Sequence, residues 1–244
     1  MRPRILVGLA VHSPDRRFLA SLVTFAQEVE RENIASLTFM WVWDKTLVEA
    51  QNDMAERMVS VGFDYLLTIE DDHWGFNSEM LKSLLSIDSE VAAISYRSRH
   101  FPFDKIPMTY HETDKNGVRM FTGAQWESGT HEVDLVGFGF TLIKREVFDK
   151  LDKPYFRLNT EYFKGVGPRA TDIDFSYRVQ GFGGKLIGCY DHLLPHRDLD
   201  ETTYKEMLVD GVLVRHSMFT RLHTMMKKSK ESNKEFALSN KGEI

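Results

Sequence analysis

With 244 residues, 42% hydrophobic and 27% charged, the chain has the composition of a soluble globule and the length for one large domain with a sizeable core. Its single cysteine, Cys189, excludes a disulfide framework and any multi-cysteine zinc site, so a metal would need carboxylates and imidazoles, a set that suits magnesium or manganese. A net charge of −5 gives no general reason to expect a polyanionic partner, and the lack of a secretion signal or an 18-residue apolar run points to a cytoplasmic protein with no transmembrane segment.

The run RILVGLAV (4–11) reads as a strand. HSPD follows it, with Ser13 placed to cap a helix and Pro14 to take its first position, and this helix should extend to about Glu32. SLTFMWVWD (36–44) is a second strand ending at Asp44, 47–61 a helix, and DYLLTI (64–69) a third strand that runs directly into EDDH. Strand and helix alternate from the start, which predicts an α/β domain with a mostly parallel central sheet and helices on both faces. In such sheets ligands bind beyond the carboxyl ends of the strands, so HSPD, WDK and EDDH belong along one edge.

Further on, NSEMLKSLLSI (77–87) reads as a helix, EVAAISYR (90–97) as a fourth strand, and 101–117, rich in Pro and turn residues, as an irregular excursion. VRMFTG (118–123) and 131–151 suggest strand segments and a short helix, and 159–170, with Gly165, Gly167 and Pro168, a loop. TDIDFSYRVQGFG (171–183) is a helix with Thr171 as N-cap and Gly181 near its end, and KLIGCY (185–190) a last strand. There are no internal repeats.

On an extended backbone Glu70 and Asp72 point to one side and Asp71 to the other, so the first two could share a divalent cation that bridges phosphates. Asp172 and Asp174 lie at a predicted helix start, where the helix dipole favours negative charge, and His192 and His196 follow about twenty residues later. Each cluster alone also fits an ordinary polar strand end or helix cap.

In this order, the acidic strand end LLTIEDDHW, then GFGFTLIKREVFDKL, then TDIDFSYRVQGFGGKL and the histidine of PHRD, these segments resemble glycosyltransferases of the GT-A fold, especially the family-2-like group, over about residues 4–198. The resemblance implies that Glu70, Asp72 and His196 hold Mn²⁺ or Mg²⁺ on the diphosphate of a sugar nucleotide, a UDP-sugar in the first instance, with Asp71 near the ribose. It implies that Asp172 is the general base and Asp174 its substitute or an acceptor-binding partner. Val11, His12, Ser13 and Asp44 would grip base and ribose, and in a segment like the family's arginine-asparagine helix Asn52 matches the asparagine while Gln51 stands at the arginine position. Trp74, Tyr96, Arg97, Gly137 and Phe138 would form the rim for sugar or acceptor. The chain departs from the family pattern at Glu70, Gln51 and Thr171, where aspartate, arginine and an acid are usual.

The expectation is therefore a GT-A domain over 1–199 and a helical, partly basic extension over 200–244. The activity expected is metal-dependent transfer to an acceptor hydroxyl with inversion, the acceptor being a glycan, protein, small molecule or modified nucleic acid. In the extension Val214, Met218, Leu222 and Met226 recur at four-residue spacing, which suits docking on the domain, self-association or an anionic surface. The rivals are a non-catalytic sugar-nucleotide or interaction module, and a nucleotidyltransferase.

Overall fold

The computed structural model describes residues 2–96, 109–115, 118–123, 128–158 and 171–196. Arg97, the loop at 159–170 and the proposed extension at 200–244 lie outside them.

β1 (Arg4–Ala10) is apolar on both faces because helices cover both. Asp15 caps α1 (Arg16–Arg31), its carboxylate accepting from the Arg17 and Phe18 amides; Ser13, the cap expected from sequence, donates its amide to Asp71 instead. Phe18, Leu22, Phe25 and Val29 recur along one stripe of α1 and pack it on the sheet. β2 (Ser36–Val42) leads into α2 (Leu47–Val61), which starts in a reciprocal Thr46–Glu49 capping box and stops at Gly62, whose φ of 78° favours glycine. β3 (Tyr65–Glu70), α3 (Ser78–Ser86, capped by Asn77) and β4 (Val91–Tyr96) follow.

β5 (Thr109–Lys115) falls inside the stretch expected to be irregular. Its flanking Pro and turn residues masked a strand that pairs antiparallel with β6 (Val118–Gly123), from Tyr110 opposite Gly123 to Lys115 opposite Val118. The Asn116-Gly117 pair between two such runs is a hairpin signal. Then come β7 (Thr130–Glu132), β8 (Leu135–Val136), β9 (Phe140–Lys144), α4 (Arg145–Lys150), α5 (Thr171–Gly181) and β10 (Leu186–Leu194). Thr171 is the first residue of α5 and is buried.

Among the described residues the main sheet has seven strands in the order β2-β1-β3-β9-β4-β10-β7, and β6-β5-β8 form a second, smaller one. β2, β1, β3, β4 and β10 run parallel, as expected, while β9 and β7 are antiparallel. The antiparallel course of β9 between β3 and β4 has a consequence for the site: its first residues lie at the edge where the parallel strands end. Side chains alternate between two cores across the sheet. Leu6 joins Met54, Met58 and Phe175 on one face, and Val7 and Leu9 join Phe18, Phe25 and Phe140 on the other.

Candidate functional site

The carboxyl ends of β1, β3, β4 and β10 place residues 11–13, Glu70 to His73, Tyr96 and His196 along one edge, and the chain entering β9 adds Gly139 there. β3 ends at Glu70, and a turn follows in which the His73 amide donates to the Glu70 carbonyl at 3.3 Å. The two-residue alternation of a strand stops there, so His73 comes round to the side of Glu70 and Asp72. An antiparallel bridge between His73 and His196 then ties this turn to the end of β10.

The four side chains meet. His196 Nε2 is 3.0 Å from Asp72 Oδ2. His73 Nε2 lies 3.6 Å from Asp72 Oδ1 and 3.8 Å from Glu70 Oε2. The two imidazoles stack with centroids 4.4 Å apart, and the Tyr96 ring meets His73 edge-on at the same distance. His73 is fully buried, and it was not among the residues singled out from the sequence, although it adjoins the acidic motif.

The hydrogen bonding of His73 tests whether a cation fits. Its Nδ1 is 3.0 Å from the Pro195 carbonyl oxygen, which only accepts, so Nδ1 carries the proton. Nε2 has no hydrogen-bond partner among the described residues and faces two carboxylates. A bare lone pair aimed at carboxylates is repelled, and a cation shared between them would turn that repulsion into coordination. Asp72, His73 and His196 bring one ligand atom each within 4.8 Å of one another, and this mixed carboxylate–imidazole set suits a divalent ion. Glu70 adds a fourth oxygen nearby.

Gly139 makes the space. A methyl group on its Cα would lie 2.6 Å from His73 Nε2 and 2.7 Å from Tyr96 Cε1. Both rings are buried and have nowhere to move. Gly139→Ala should therefore cost about 1–3 kcal/mol of stability and also remove cation binding, checked by denaturant unfolding with and without Mn²⁺.

Asp172 lies in the first turn of α5, and its carboxyl is pushed up from 3.8 to about 7 by burial, with the charge of Glu70 adding to the effect. The Tyr96 hydroxyl is raised well above its usual range, chiefly by burial and then by Glu70, Asp172 and Asp72, so it stays a neutral phenol. These two effects tie Asp172 and Tyr96 to the acidic end of β3.

A cleft of about 360 Å³ opens from this cluster toward β2, lined by Glu70, Asp71, Asp72, Val11 and His12, and beyond them by Val42, Lys45, Leu47 and Ala50. Lys45 and Leu47 were not anticipated; they follow Asp44, whose backbone takes a left-handed turn at φ 56°. Asp71 accepts from the amides of His12 (2.8 Å) and Ser13 (2.6 Å), bracing the β1–α1 turn.

Other residues expected at the site make structural contacts of their own. Asn52 donates to the Phe156 carbonyl and accepts from its amide, pinning that loop to α2, and Gln51 is buried beneath the helix. Asp174, two residues past Asp172 and hence on the far side of the helix, is buried 3.9 Å from Arg178. Phe138 is a core residue packed on Phe156 and Phe175 rather than a rim residue. Gly137 is buried, its carbonyl accepting from the Thr141 hydroxyl. Trp74 lies under the Arg17 guanidinium, 4.0 Å from its ring centroid. His192 bonds Ser83 at 2.7 Å, away from the cluster.

No family model matches the chain, and no curated protein matches its sequence. Solved structures do resemble it. A197 from STIV is 16% identical with a TM-score of 0.52, over 80% of this chain and 85% of that one. GalNAc-T7, solved with UDP, GalNAc and Mn²⁺, is 10% identical with a TM-score of 0.51, over 80% of this chain and 43% of that one. At these identities the likeness is one of fold, an α/β fold of GT-A-like form. No helix among the described residues is long and apolar enough to cross a membrane.

Proposed function

We propose that the chain is a metal-dependent glycosyltransferase that moves a sugar from a nucleotide-diphosphate sugar, in the first instance a UDP-sugar, to an acceptor hydroxyl with inversion. The observation that carries this reading is the meeting of Glu70, Asp72, His73 and His196 at one end of the cleft, with Asp172 coupled to Glu70. The similar fold of GalNAc-T7, a structure holding UDP, GalNAc and Mn²⁺, supports it as well.

Asp72, His73 and His196, with Glu70 beside them, would hold Mn²⁺ or Mg²⁺. When bound, the ion neutralises the negative charge that a departing nucleoside diphosphate accumulates. The chain's own groups do the rest. Asp172, kept basic by burial, takes the proton of the acceptor hydroxyl as its oxygen attacks the anomeric carbon. Asp71 holds the β1–α1 turn so that Val11 and His12 line the donor cleft. Tyr96 and Gly139 fix the orientation of the His73 ring.

A nucleotidyltransferase would cradle phosphates on the amides after its first strand. Here the amides of His12 and Ser13 bind the Asp71 carboxylate, which disfavours that reading. The non-catalytic reading leans on Glu70, Gln51 and Thr171; the last two are buried and stand outside the cluster, while Glu70 keeps a carboxylate 3.8 Å from His73 Nε2. The direct test is incubation with Mn²⁺ and a panel of sugar nucleotides, following thermal shift and slow hydrolysis. A metal-dependent response to at least one donor is expected. Silence toward all of them would leave the non-catalytic module as the better description.

A further inference from the structure

The two ends of the cleft differ in chemistry. At the β3 end stand the carboxylates of Glu70, Asp71 and Asp72; at the β2 end the walls are Val11, Val42, Leu47 and Ala50. Lys45 is the only lysine or arginine among the described lining residues, and it stands at this apolar end. Its ammonium is ion-paired to Asp53, two turns into α2. That carboxylate anchors the Lys45 side chain at the cleft wall without using all three N–H groups of an ammonium.

This polarity sorts a nucleoside diphosphate head to tail. The diphosphate belongs at the end that can hold a cation, and the flat, largely apolar base belongs between the aliphatic walls. The base then meets Lys45. An ammonium donates hydrogen bonds and accepts none, so it can pair with a ring carbonyl oxygen but opposes an exocyclic amino group, which is also a donor. Uracil and guanine offer such a carbonyl where cytosine and adenine carry an amino group.

We propose that Lys45 makes the cleft select a donor whose base bears a carbonyl on that edge, of the uracil or guanine type, over its amino-bearing counterpart. The inference rests on the donor-site reading above and adds to it the residue that discriminates. UDP and CDP are the sharpest pair of probes, since their bases differ at the carbonyl-for-amino exchange.

The experiment titrates the full-length, Mn²⁺-saturated protein with UDP, CDP, GDP and ADP by calorimetry. A hydrogen bond to a charged donor, gained by one base and refused by the other, corresponds to roughly ten- to a hundredfold in affinity. UDP should bind tighter than CDP by that margin, and GDP tighter than ADP. Lys45→Met should bring UDP down to the CDP level while leaving CDP unchanged, and Lys45→Arg should keep the preference. The Lys45 side chain is 46% exposed, so neither variant should disturb folding. Equal affinity of the wild type for UDP and CDP overturns the inference alone. So does a Lys45→Met variant that weakens both ligands by the same factor, which would place the ammonium on the phosphates. If none of the four nucleotides binds, the donor-site reading fails, and this inference fails with it.

Discussion

An Asp72→Ala variant should keep its fold and lose transfer and sugar-nucleotide hydrolysis by roughly 10³-fold, the several kcal/mol of charge stabilisation that a lost divalent cation would supply. Asp72 links the two imidazoles, lying 3.0 Å from His196 and 3.6 Å from His73, so its removal takes away the central carboxylate of the set. The clearest readout is binding rather than rate. A hundredfold excess of Mn²⁺ over its dissociation constant should stabilise the wild type by about 2.7 kcal/mol and the variant by nothing measurable. His73→Gln separates two roles of the buried imidazole. If His73 is a ligand, the Mn²⁺ shift disappears with it; if the ring only packs against Glu70 and Asp72, the shift survives. Full activity of Asp72→Ala in excess chelator would remove the cation from the account.

Asp172→Asn should bind donor normally and turn over at least a hundredfold more slowly, as expected for a lost general base. The acid limb of kcat/KM should disappear with it. The base works only when ionised, so wild-type activity rises with pH through a limb set by a carboxyl near 7 in the metal-free protein, and lower once a cation sits beside Glu70. Stability moves the opposite way. The folded-state carboxyl lies above its unfolded value of 3.8, so the folded protein holds a proton that the unfolded chain releases. Stability from this group is therefore full below about pH 4, falls as pH rises to about 7, and is flat above that. The asparagine carries no such penalty and should make the protein more stable at pH 8, by at most about 4 kcal/mol for a carboxyl displaced this far. A variant equally stable at pH 5 and 8 relative to wild type would place Asp172 in water. Normal turnover in that variant would move the role of base to another group.

Much of the architecture was legible because it depends on local periodicity. Apolar runs such as RILVGLA, whose two faces are both covered, and the helical stripe of Phe18, Leu22, Phe25 and Val29 each state their element without reference to anything distant. The bounds of α2 could be read from the sequence for the same reason: Thr46 with Glu49 begins it and Gly62 ends it. Strand–helix alternation then implied the parallel sheet and the shared edge for HSPD, WDK and EDDH.

What the sequence alone could not determine depends on pairing over long distances. The antiparallel insertion of β9 brings Gly139 to the site, and neither its register nor its direction is encoded within FTLIK. His73 looked like the residue after a motif. Only the turn that ends β3, and a bridge to His196 just past β10, more than a hundred residues later, make it face Asp72 and stack on His196. α1 starts at Arg16, so Asp15 rather than Ser13 stands at its cap, while the Ser13 amide binds Asp71, nearly sixty residues away. Asn52 and Phe138 carried family-like patterns but answer to packing, the first clamping Phe156 and the second filling an aromatic core. The chemical repertoire of the edge was thus written in the order of its residues. Which of those residues meet, and with what charge, was decided by tertiary structure, because burial and proximity set both the orientation of an imidazole and the basicity of a carboxylate.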